Sequence, residues 1–178
     1  MSVTDEKRIL ANGLREVAAK MVIAARTAPK ARGIDTFEIK IAEGDTISSL
    51  AGKMKETAAE YDVPFFERDA GNILDCPVVV LIGTRIKSIG LKKCGMCGFS
   101  GCDEKNEHPD IPCVFNTGDL GIAVGSAVSV CTDQRADNRI MYTIGQAAME
   151  MGLFDSDIRI AYGIPLSATS KNPFFDRK

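Results

Sequence analysis

The sequence lacks several features that mark common functional classes. Its 178 residues contain no Trp and a single His, which excludes catalysis built on several histidines. The net charge of −2 and the pI near 5.5 lack the basic excess that is typical of nucleic-acid-binding proteins. The sequence contains no Ser-His-Asp arrangement, no P-loop and no GxGxxG motif. We therefore expect no nucleic-acid partner, no hydrolysis by a Ser-His-Asp triad, and no nucleotide binding through a P-loop or GxGxxG motif.

Signals for export or for a membrane are also missing. Residues Met1–Leu10 are charged and have no apolar h-region, so they do not form a signal peptide. The longest uninterrupted apolar run, Pro77–Ile82, is far shorter than the roughly 20 residues that a membrane span needs. We therefore expect a cytoplasmic protein without a membrane partner. In that compartment disulfides are rare, and clustered cysteines indicate metal or redox chemistry.

The pattern of apolar residues predicts one domain over residues 1–178 with an α/β (α+β) sandwich fold. A chain of this length buries a core without covalent staples. The predicted elements, in chain order, are a helix over 2–25, a strand over 36–42, a helix around 47–58, a strand over 76–83, a loop over 94–113, a helix over 119–131, a helix capped by Asp137, and a strand around 158–162. The run 76–83 is rich in β-branched residues, which predicts a strand buried on both faces.

The chemistry of the sequence is concentrated in a cysteine-rich loop over residues 91–115, between the buried strand and the central helix. Its spacing is Cys94-x2-Cys97-x4-Cys102-x10-Cys113. Two cysteines separated by two residues can direct both sulfurs at one metal, and the intervening glycines allow the tight backbone that such a site needs. We predict that these four cysteines hold a metal centre.

The nature of that centre is left open by the spacing. An iron–sulfur cluster, of the 4Fe-4S type, is favoured by four clustered cysteines among glycines, although the spacing follows neither ferredoxin pattern. Structural zinc suits four thiolates equally well but is usually held by two paired knuckles. Unligated thiols are the third alternative, and His108 is the one imidazole available as a replacement ligand. Cys76 and Cys131 lie in apolar surroundings and are predicted to be packed core thiols.

Four stretches of the chain resemble a family of bacterial and archaeal proteins described as containing a ferredoxin domain. The stretches are Cys-Gly-Met-Cys-Gly-Phe-Ser-Gly-Cys (94–102), Asp-Leu-Gly-Ile-Ala-Val-Gly-Ser-Ala-Val (119–128), Asp-Asn-Arg-Ile-Met-Tyr-Thr-Ile-Gly (137–145) and the run from Tyr162 to Arg177. The resemblance covers nearly the whole chain. It implies an iron–sulfur redox protein but no particular reaction, because the family has no established activity.

A second, more distant resemblance is to the flavin-dependent nitroreductases. Their first long helix ends in an alanine–proline loop before a strand, as Ala28-Pro29 precedes Phe37–Ile41 here. Their central helix opens with Asp-x-Gly-Ile-Ala, similar to residues 119–123, and their last strand leads into a Gly-x-Pro segment and a late arginine, similar to 163–165 and Arg177. In that family the central helix packs at a dimer interface beside the flavin. The resemblance therefore implies a nitroreductase-like fold, a homodimer and an FMN cofactor.

Cations around the alanine–proline loop are candidate ligands for the phosphate of that FMN. Guanidinium and ammonium groups neutralise and hydrogen-bond phosphate oxygens. The candidates are Arg26, Lys30, Arg32, Lys171 and Arg177. The alternative is that Arg26–Gly33 is a solvated, charged loop without a ligand.

Two functions from different classes follow from these patterns. The first is a cytoplasmic iron–sulfur redox protein, an oxidoreductase or electron carrier that exchanges electrons with an unknown donor or acceptor, with a flavin or with a small substrate. The second is a binding or scaffold protein without enzymatic activity that zinc stabilises at the same cysteines. The polar tail 168–178 is expected either to cover a pocket as a lid or to dock on a partner subunit.

Overall fold

The fold is a single antiparallel sheet with helices packed on both of its faces. The computed structural model describes residues 3–175, and the strand order across its four-stranded sheet is β1-β2-β4-β3. The strands are β1 (Phe37–Ala42), β2 (Val78–Arg85), β3 (Asp137–Asn138) and β4 (Ile158–Ser167). The α-helices are α1 (Glu6–Thr27), α2 (Asp45–Tyr61), α3 (Pro64–Ile73), α4 (Cys102–Asn106), α5 (Val114–Asp133) and α6 (Tyr142–Glu150). A short 3₁₀ turn, Ala31–Gly33, lies between α1 and β1.

The central strand β2 separates two hydrophobic cores. Successive side chains of a strand point to opposite faces, and in β2 both faces are covered. Val78, Val80 and Ile82 pack with α1 and α5 on one face, and Val79 and Leu81 pack with α2, α3 and α6 on the other. This arrangement confirms the prediction of a strand buried on both faces, as well as the mixed α/β class.

Helix α6 lies unusually close to β4 because glycine is present on both elements. A Cβ atom added to Gly145 of α6 would overlap the carbonyl group of Ala161 and lie 2.8 Å from the Tyr162 nitrogen. A Cβ atom added to Gly163 of β4 would overlap the side chain of Ile144. The two glycines therefore set the distance between this helix and the sheet.

Helix α5 packs lengthwise against α1 on the other face of the sheet. The Ser126 hydroxyl of α5 donates a hydrogen bond of 3.1 Å to the Ala24 carbonyl of α1. Within residues 3–175, α5 is the one helix long and apolar enough to cross a membrane, with a mean hydropathy of 1.3. The core helix of a soluble protein passes the same test, and α5 contributes Leu120, Ala123, Val124 and Ala127 to the interior.

Several boundaries differ from the predictions. Helix α3 was not predicted, although Phe66, Ala70 and Ile73 recur at helical spacing and form its buried face. Helix α5 begins at Val114 rather than Asp119, since Cys113 takes the N-cap position. The predicted cap at Asp137 is wrong: Asp137 belongs to β3, and Met141 precedes the first turn of α6.

The tail after β4 packs on its own chain. Phe174 is 1% exposed and belongs to the core formed by α2, α3 and α6. The Arg139 guanidinium donates a hydrogen bond of 2.6 Å to the Phe174 carbonyl and lies over the Phe175 ring. The Asn172 amide donates to the Asp137 carboxylate at 2.9 Å. Through Phe175, the segment therefore packs on its own chain, and residues 137–139 hold it in place.

Candidate metal centre and the loops around it

The cysteine segment connects the end of β2 to the beginning of α5. It runs over residues 86–113 and contains a single short helix, α4, which begins at Cys102. Cys94, Cys97 and Cys102 are partly exposed, whereas Cys113 is buried at the N-cap of α5. The segment therefore presents three thiols toward the surface and fixes the fourth in the body of the protein.

The first two cysteines flank a tight turn that depends on glycine. Gly95 and Gly98 have φ angles of +90° and +89°, which side chains disfavour, and the Gly98 N–H donates to the Gly95 carbonyl at 3.1 Å. A Cβ atom on Gly95 would also lie 3.1 Å from the Phe99 carbonyl oxygen. The turn holds Cys94 and Cys97 on one short piece of chain, as their spacing predicts.

Side chains within the segment hold its two halves together. The Glu104 carboxylate accepts hydrogen bonds from the Ser100 N–H at 2.7 Å and from the Ser100 hydroxyl at 2.6 Å. These bonds lower the pKa of Glu104 below its usual value. The His108 ring stacks on the Phe99 ring, with centroids 5.1 Å apart. His108 is thus part of the packing between the two halves of the segment.

A single buried amide, Asn116, fixes both ends of the segment. Its side-chain oxygen accepts from the Lys87 N–H at 3.0 Å and from the Cys113 N–H at 3.1 Å, and its NH2 group donates to the Lys87 carbonyl at 3.0 Å. The Asn116 backbone N–H donates in turn to the Cys113 carbonyl at 2.9 Å. Asn116 is 1% exposed, so these bonds are shielded from water. One side chain therefore positions Cys113 relative to the strand that leads into the segment.

The four thiols share one segment but not one coordination sphere. Among residues 3–175 no group of three or more His, Cys, Asp or Glu side chains is arranged to hold a metal ion. The chemistry of the donor set does fit a thiophilic metal, since four cysteines suit zinc and iron–sulfur clusters alike. Ligation requires the partly exposed thiols to converge on the buried one.

The two remaining cysteines behave as the sequence predicts. Cys76 and Cys131 are buried in the two cores. Burial, together with the nearby Asp75, raises the pKa of Cys76 to about 12. Burial raises the pKa of Cys131 to about 11. Both thiols therefore stay protonated at neutral pH and are poor metal ligands.

The cations predicted to bind phosphate have partners inside the chain. The Arg26 guanidinium pairs with the Asp35 carboxylate. The Lys30 ammonium donates to the carbonyls of Arg26 and Ala28 at 2.6 and 2.8 Å, so it caps the C-terminus of α1. Arg32 donates to the carbonyls of Ile89 and Gly90.

The other two predicted phosphate ligands lie farther along the chain. Lys171 is exposed in the tail after β4, and Arg177 lies outside the described residues. The structure thus brings Arg26, Lys30 and Arg32 into one loop. Arg26 and Lys30 bond to neighbouring residues there, whereas Arg32 bonds to the cysteine segment.

The same loop is attached to the cysteine segment and to α5. Arg32 adopts a φ angle of +55°, unusual for a residue with a side chain, and both of its hydrogen bonds to Ile89 and Gly90 measure 3.0 Å. The preceding Ala31 N–H donates to the buried Asp119 carboxylate of α5 at 3.0 Å. The sequence analysis did not identify Asn116 or Asp119 as anchors. The available signal was an Asn at the third position of a helix, but the helix start was placed too late to show it.

Comparison with known proteins identifies a close relative along the whole chain. A protein from Archaeoglobus fulgidus, described as "Uncharacterized protein", is 41% identical over 181 residues, which is 97% of this chain and 96% of that protein. Residues 110–177 match the family described as "Uncharacterized protein containing a ferredoxin domain". That matched segment includes Cys113 and begins after the other three predicted ligands.

Solved structures of similar architecture include nitroreductases and a BluB-like flavoprotein. The nitroreductase CinD from Lactococcus lactis, solved with nicotinic acid, is 15% identical with a TM-score of 0.58, covering 96% of this chain and 82% of that one. The FMN-dependent nitroreductase NfnB from Mycobacterium smegmatis, solved with NADPH, is 11% identical with a TM-score of 0.57, covering 88% and 78%. A BluB-like flavoprotein from Clostridium difficile 630 is 18% identical with a TM-score of 0.51, covering 96% and 86%.

At such low identity these structures establish the fold alone, and the fold is nitroreductase-like. The full-length relative is similar enough in sequence to show common ancestry, which fold similarity at low identity does not show. Together with the match over 110–177, it shows that the chain belongs to the family of uncharacterized proteins that contain a ferredoxin domain.

Proposed function

We propose that this chain is a cytoplasmic redox protein that binds an iron–sulfur cluster through Cys94, Cys97, Cys102 and Cys113. The observation that supports the proposal most directly is the position of these thiols on one short segment, anchored at both ends by Asn116. The ferredoxin-domain family and the nitroreductase-like fold both favour redox chemistry. Four cysteine ligands suit a 4Fe-4S cluster, which is the form we propose.

The four cysteines would contribute to such a site in two ways, one as a buried ligand and three as partly exposed ligands. Cys113 is the fixed ligand, because it is buried and Asn116 holds both its backbone N–H and its carbonyl. Cys94, Cys97 and Cys102 are partly exposed, so they can close over the cluster and leave it near the surface. When bound, the cluster supplies one-electron transfer. Its position near the surface suits exchange with a separate donor or acceptor.

The first test is the metal and acid-labile sulfide content of protein purified without oxygen, together with its visible spectrum. We expect about four irons and four sulfides per chain and a brown colour. One zinc per chain without sulfide would contradict the redox proposal and favour a metal-stabilised binding or scaffold protein. Protein with neither metal would contradict both.

We further propose that FMN binds beside the Arg26–Gly33 loop, with Arg26, Lys30, Arg32, Lys171 and Arg177 as candidate phosphate ligands. Arg26 and Asp35 are both partly exposed, so phosphate can displace that carboxylate at low cost. The FMN-dependent nitroreductase of similar fold supports the proposal. Titration with FMN, followed by the quenching of flavin fluorescence, tests it. Unchanged fluorescence would leave the loop a charged surface without a ligand.

We also propose a homodimer formed through the exposed face of α5. One face of α5 carries exposed residues that are three or four positions apart. They are Gly118, Gly121, Ile122, Gly125 and Ser129. Cβ atoms added to Gly118, Gly121 and Gly125 would have no neighbour within 4 Å, so the face has room for a second backbone. Ile122 is an exposed large apolar side chain at its centre, 49% accessible. Analytical ultracentrifugation of the purified chain tests the assembly, and a monomer would contradict it.

A further inference from the structure

Two neighbouring cavities lie between α6 and the beginning of β4, and Arg159 and Met149 line both of them. One cavity has a volume of about 420 Å³ and the other a volume of about 330 Å³. Volumes of roughly 300–1,000 Å³ are typical of sites for small molecules. None of the lining residues belongs to the cysteine segment or to the Arg26–Gly33 loop. A ligand in these cavities is therefore separate from both proposed cofactor sites.

Arg159 occupies an irregular position in β4. Ile160 pairs with Thr84 and Ile158 pairs with Arg85, so Arg159 has no partner residue on β2. An extra residue of this kind forms a β-bulge, which changes the direction of a side chain and is frequent beside functional sites. Arg159 is exposed, whereas Ile158 is buried and Ile160 is partly buried. The irregularity thus leaves an exposed guanidinium on the wall of both cavities.

The charge of Arg159 is not compensated, although two carboxylates line the larger cavity with it. Within the described part of the chain, the Arg159 side chain forms no hydrogen bond and no ion pair. The Glu150 carboxylate pairs with Lys53 at 3.2 Å, and the Asp155 carboxylate pairs with Arg85 at 3.0 Å. Both acids are therefore neutralised by cations from elsewhere in the fold, which leaves Arg159 available to an anion from solution.

The smaller cavity adds an aromatic ring that is held in place. Tyr142, Gln146 and Met149 are spaced by four and three positions on α6, so they share one face of that helix. The Tyr142 ring packs on Phe65 and Phe66, with centroid distances of 6.0 and 5.7 Å, yet Tyr142 is 47% exposed. Aromatic rings and guanidinium groups both stack on planar ligands, and the Gln146 amide can donate and accept hydrogen bonds.

We propose that these cavities bind a small planar aromatic carboxylate. The Arg159 guanidinium binds the carboxylate through two parallel N–H···O bonds, which is the geometry that this pair favours. The ring of the ligand lies against Tyr142. The inference goes beyond the redox function and does not depend on it, because no residue of the cavities belongs to the proposed metal or FMN sites.

The experiment is a heteronuclear NMR titration of the full chain with three compounds. Benzoate has the charge and the planar ring, benzamide lacks the charge, and cyclohexanecarboxylate lacks the planar ring. We expect benzoate to shift the signals of Arg159 and of the Gln146 side-chain amide. It should bind about 10-fold more tightly than benzamide, which cannot form charge-assisted bonds, and about 3- to 10-fold more tightly than cyclohexanecarboxylate. Equal affinity for benzoate and either analogue would contradict the proposal.

Substitutions identify the residues that bind. Arg159→Gln should weaken benzoate binding about 10-fold, and Arg159→Lys should restore part of the loss, because an ammonium keeps the charge without the planar fork. Tyr142→Leu should weaken binding about 3- to 10-fold. Arg8→Gln removes another exposed arginine, on α1, and should match the wild type.

The outcomes that overturn the inference can be read without any metal or flavin. They are an absence of benzoate binding, signal shifts confined to residues outside the cavities, and unchanged affinity in Arg159→Gln. Arg159 is exposed, so its substitution is expected to leave the fold intact, and the unshifted core signals of the variant check this. A chain that binds neither iron nor FMN would overturn the proposed function and leave this test as it stands.

Discussion

At the scale of single residues, the six cysteines differ in what their surroundings allow. Cys76 and Cys131 are buried in apolar cores that raise their pKa values, whereas Cys94, Cys97 and Cys102 are partly exposed on a glycine-containing segment. Exposure therefore separates three of the candidate ligands from the core thiols, whereas the fourth, Cys113, is buried at the N-cap of α5.

Substitution of one candidate ligand tests this division. We expect Cys97→Ser to bleach the colour of the anaerobically purified protein and to loosen residues 94–113, because serine is a poor ligand for a thiophilic metal. Visible absorbance and hydrogen exchange of the segment measure the two effects. Cys76→Ala is the matched control and should keep its metal, since that thiol lies in the core. Unchanged metal content and stability in Cys97→Ser would rule out the four-cysteine site.

Glu38 provides a residue-scale prediction about acid stability. Its carboxylate accepts from Lys40 at 2.6 Å and from the Asp155 N–H at 3.1 Å. Burial alone would raise the pKa of Glu38, but these hydrogen bonds outweigh it and hold the pKa below its usual value. The stabilisation is therefore present above the pKa of an unfolded glutamate, about 4.3, and is lost as the pH falls through the lower folded value.

We expect Glu38→Gln to lower the free energy of unfolding by about 1 kcal/mol at neutral pH. Its deficit should shrink as the pH is lowered from about 4.3 toward about 3, because the stabilisation by the ionised carboxylate is lost as the folded protein takes up that proton. Urea unfolding at the two pH values measures this difference, with the exposed Glu16→Gln as the control. An equal deficit at both pH values would show that the charge of Glu38 contributes nothing.

At the scale of elements, close packing and end anchoring decide the geometry around the candidate site. Helix α6 approaches β4 through Gly145 and Gly163, and α5 holds two separate loops through Asn116 and Asp119. One helix thus connects the cysteine segment to the loop between α1 and β1. The bonds of Arg32 to Ile89 and Gly90 reinforce the same connection.

The packing of α6 leads to a prediction with a matched control on another helix. Gly145→Ala would force its new Cβ into the Ala161 carbonyl group, and we expect a loss of about 3 kcal/mol in the free energy of unfolding. Gly52→Ala on α2 meets nothing within 4 Å and should stabilise the protein by up to about 1 kcal/mol. Thermal or urea unfolding measures both. Similar effects of the two substitutions would contradict the close approach of α6 to the sheet.

At the scale of the whole molecule, the open question is what covers the exposed face of α5. The helix is apolar along its length, yet only its α1-facing and sheet-facing sides are covered within this chain. A second copy placed there would bury Ile122 and the glycines beside it.

We expect Ile122→Asp to prevent the proposed dimer, because a charge buried at an interface without a partner costs roughly several kcal/mol. Sedimentation equilibrium measures the change. Ile140→Asp is the control, since Ile140 is similarly exposed, at 44%, but lies outside α5. A dimer that persists in Ile122→Asp would place the interface elsewhere.

Much of this protein is determined by its sequence. The β-branched run in residues 76–83 predicts the central buried strand, and helical spacing predicts α1, α2 and the middle of α5, because these patterns reflect local periodicity and burial. The cysteine spacing also places all four candidate ligands on one loop between β2 and α5. The quoted motifs were enough to identify the family and the fold.

Only the tertiary structure decided how that loop is held. The start of α5 at Val114 depends on Asn116 reaching back to Lys87, a contact across 29 positions that no local pattern contains. For the same reason, Asp137 is in a strand beside β4 rather than at a helix cap. The partners of Arg26, Lys30 and Arg32 likewise depend on which surfaces meet after folding. The periodicity of a sequence predicts which side of a helix or strand is buried. Which residues pack against that side is decided only when distant parts of the chain meet in the fold.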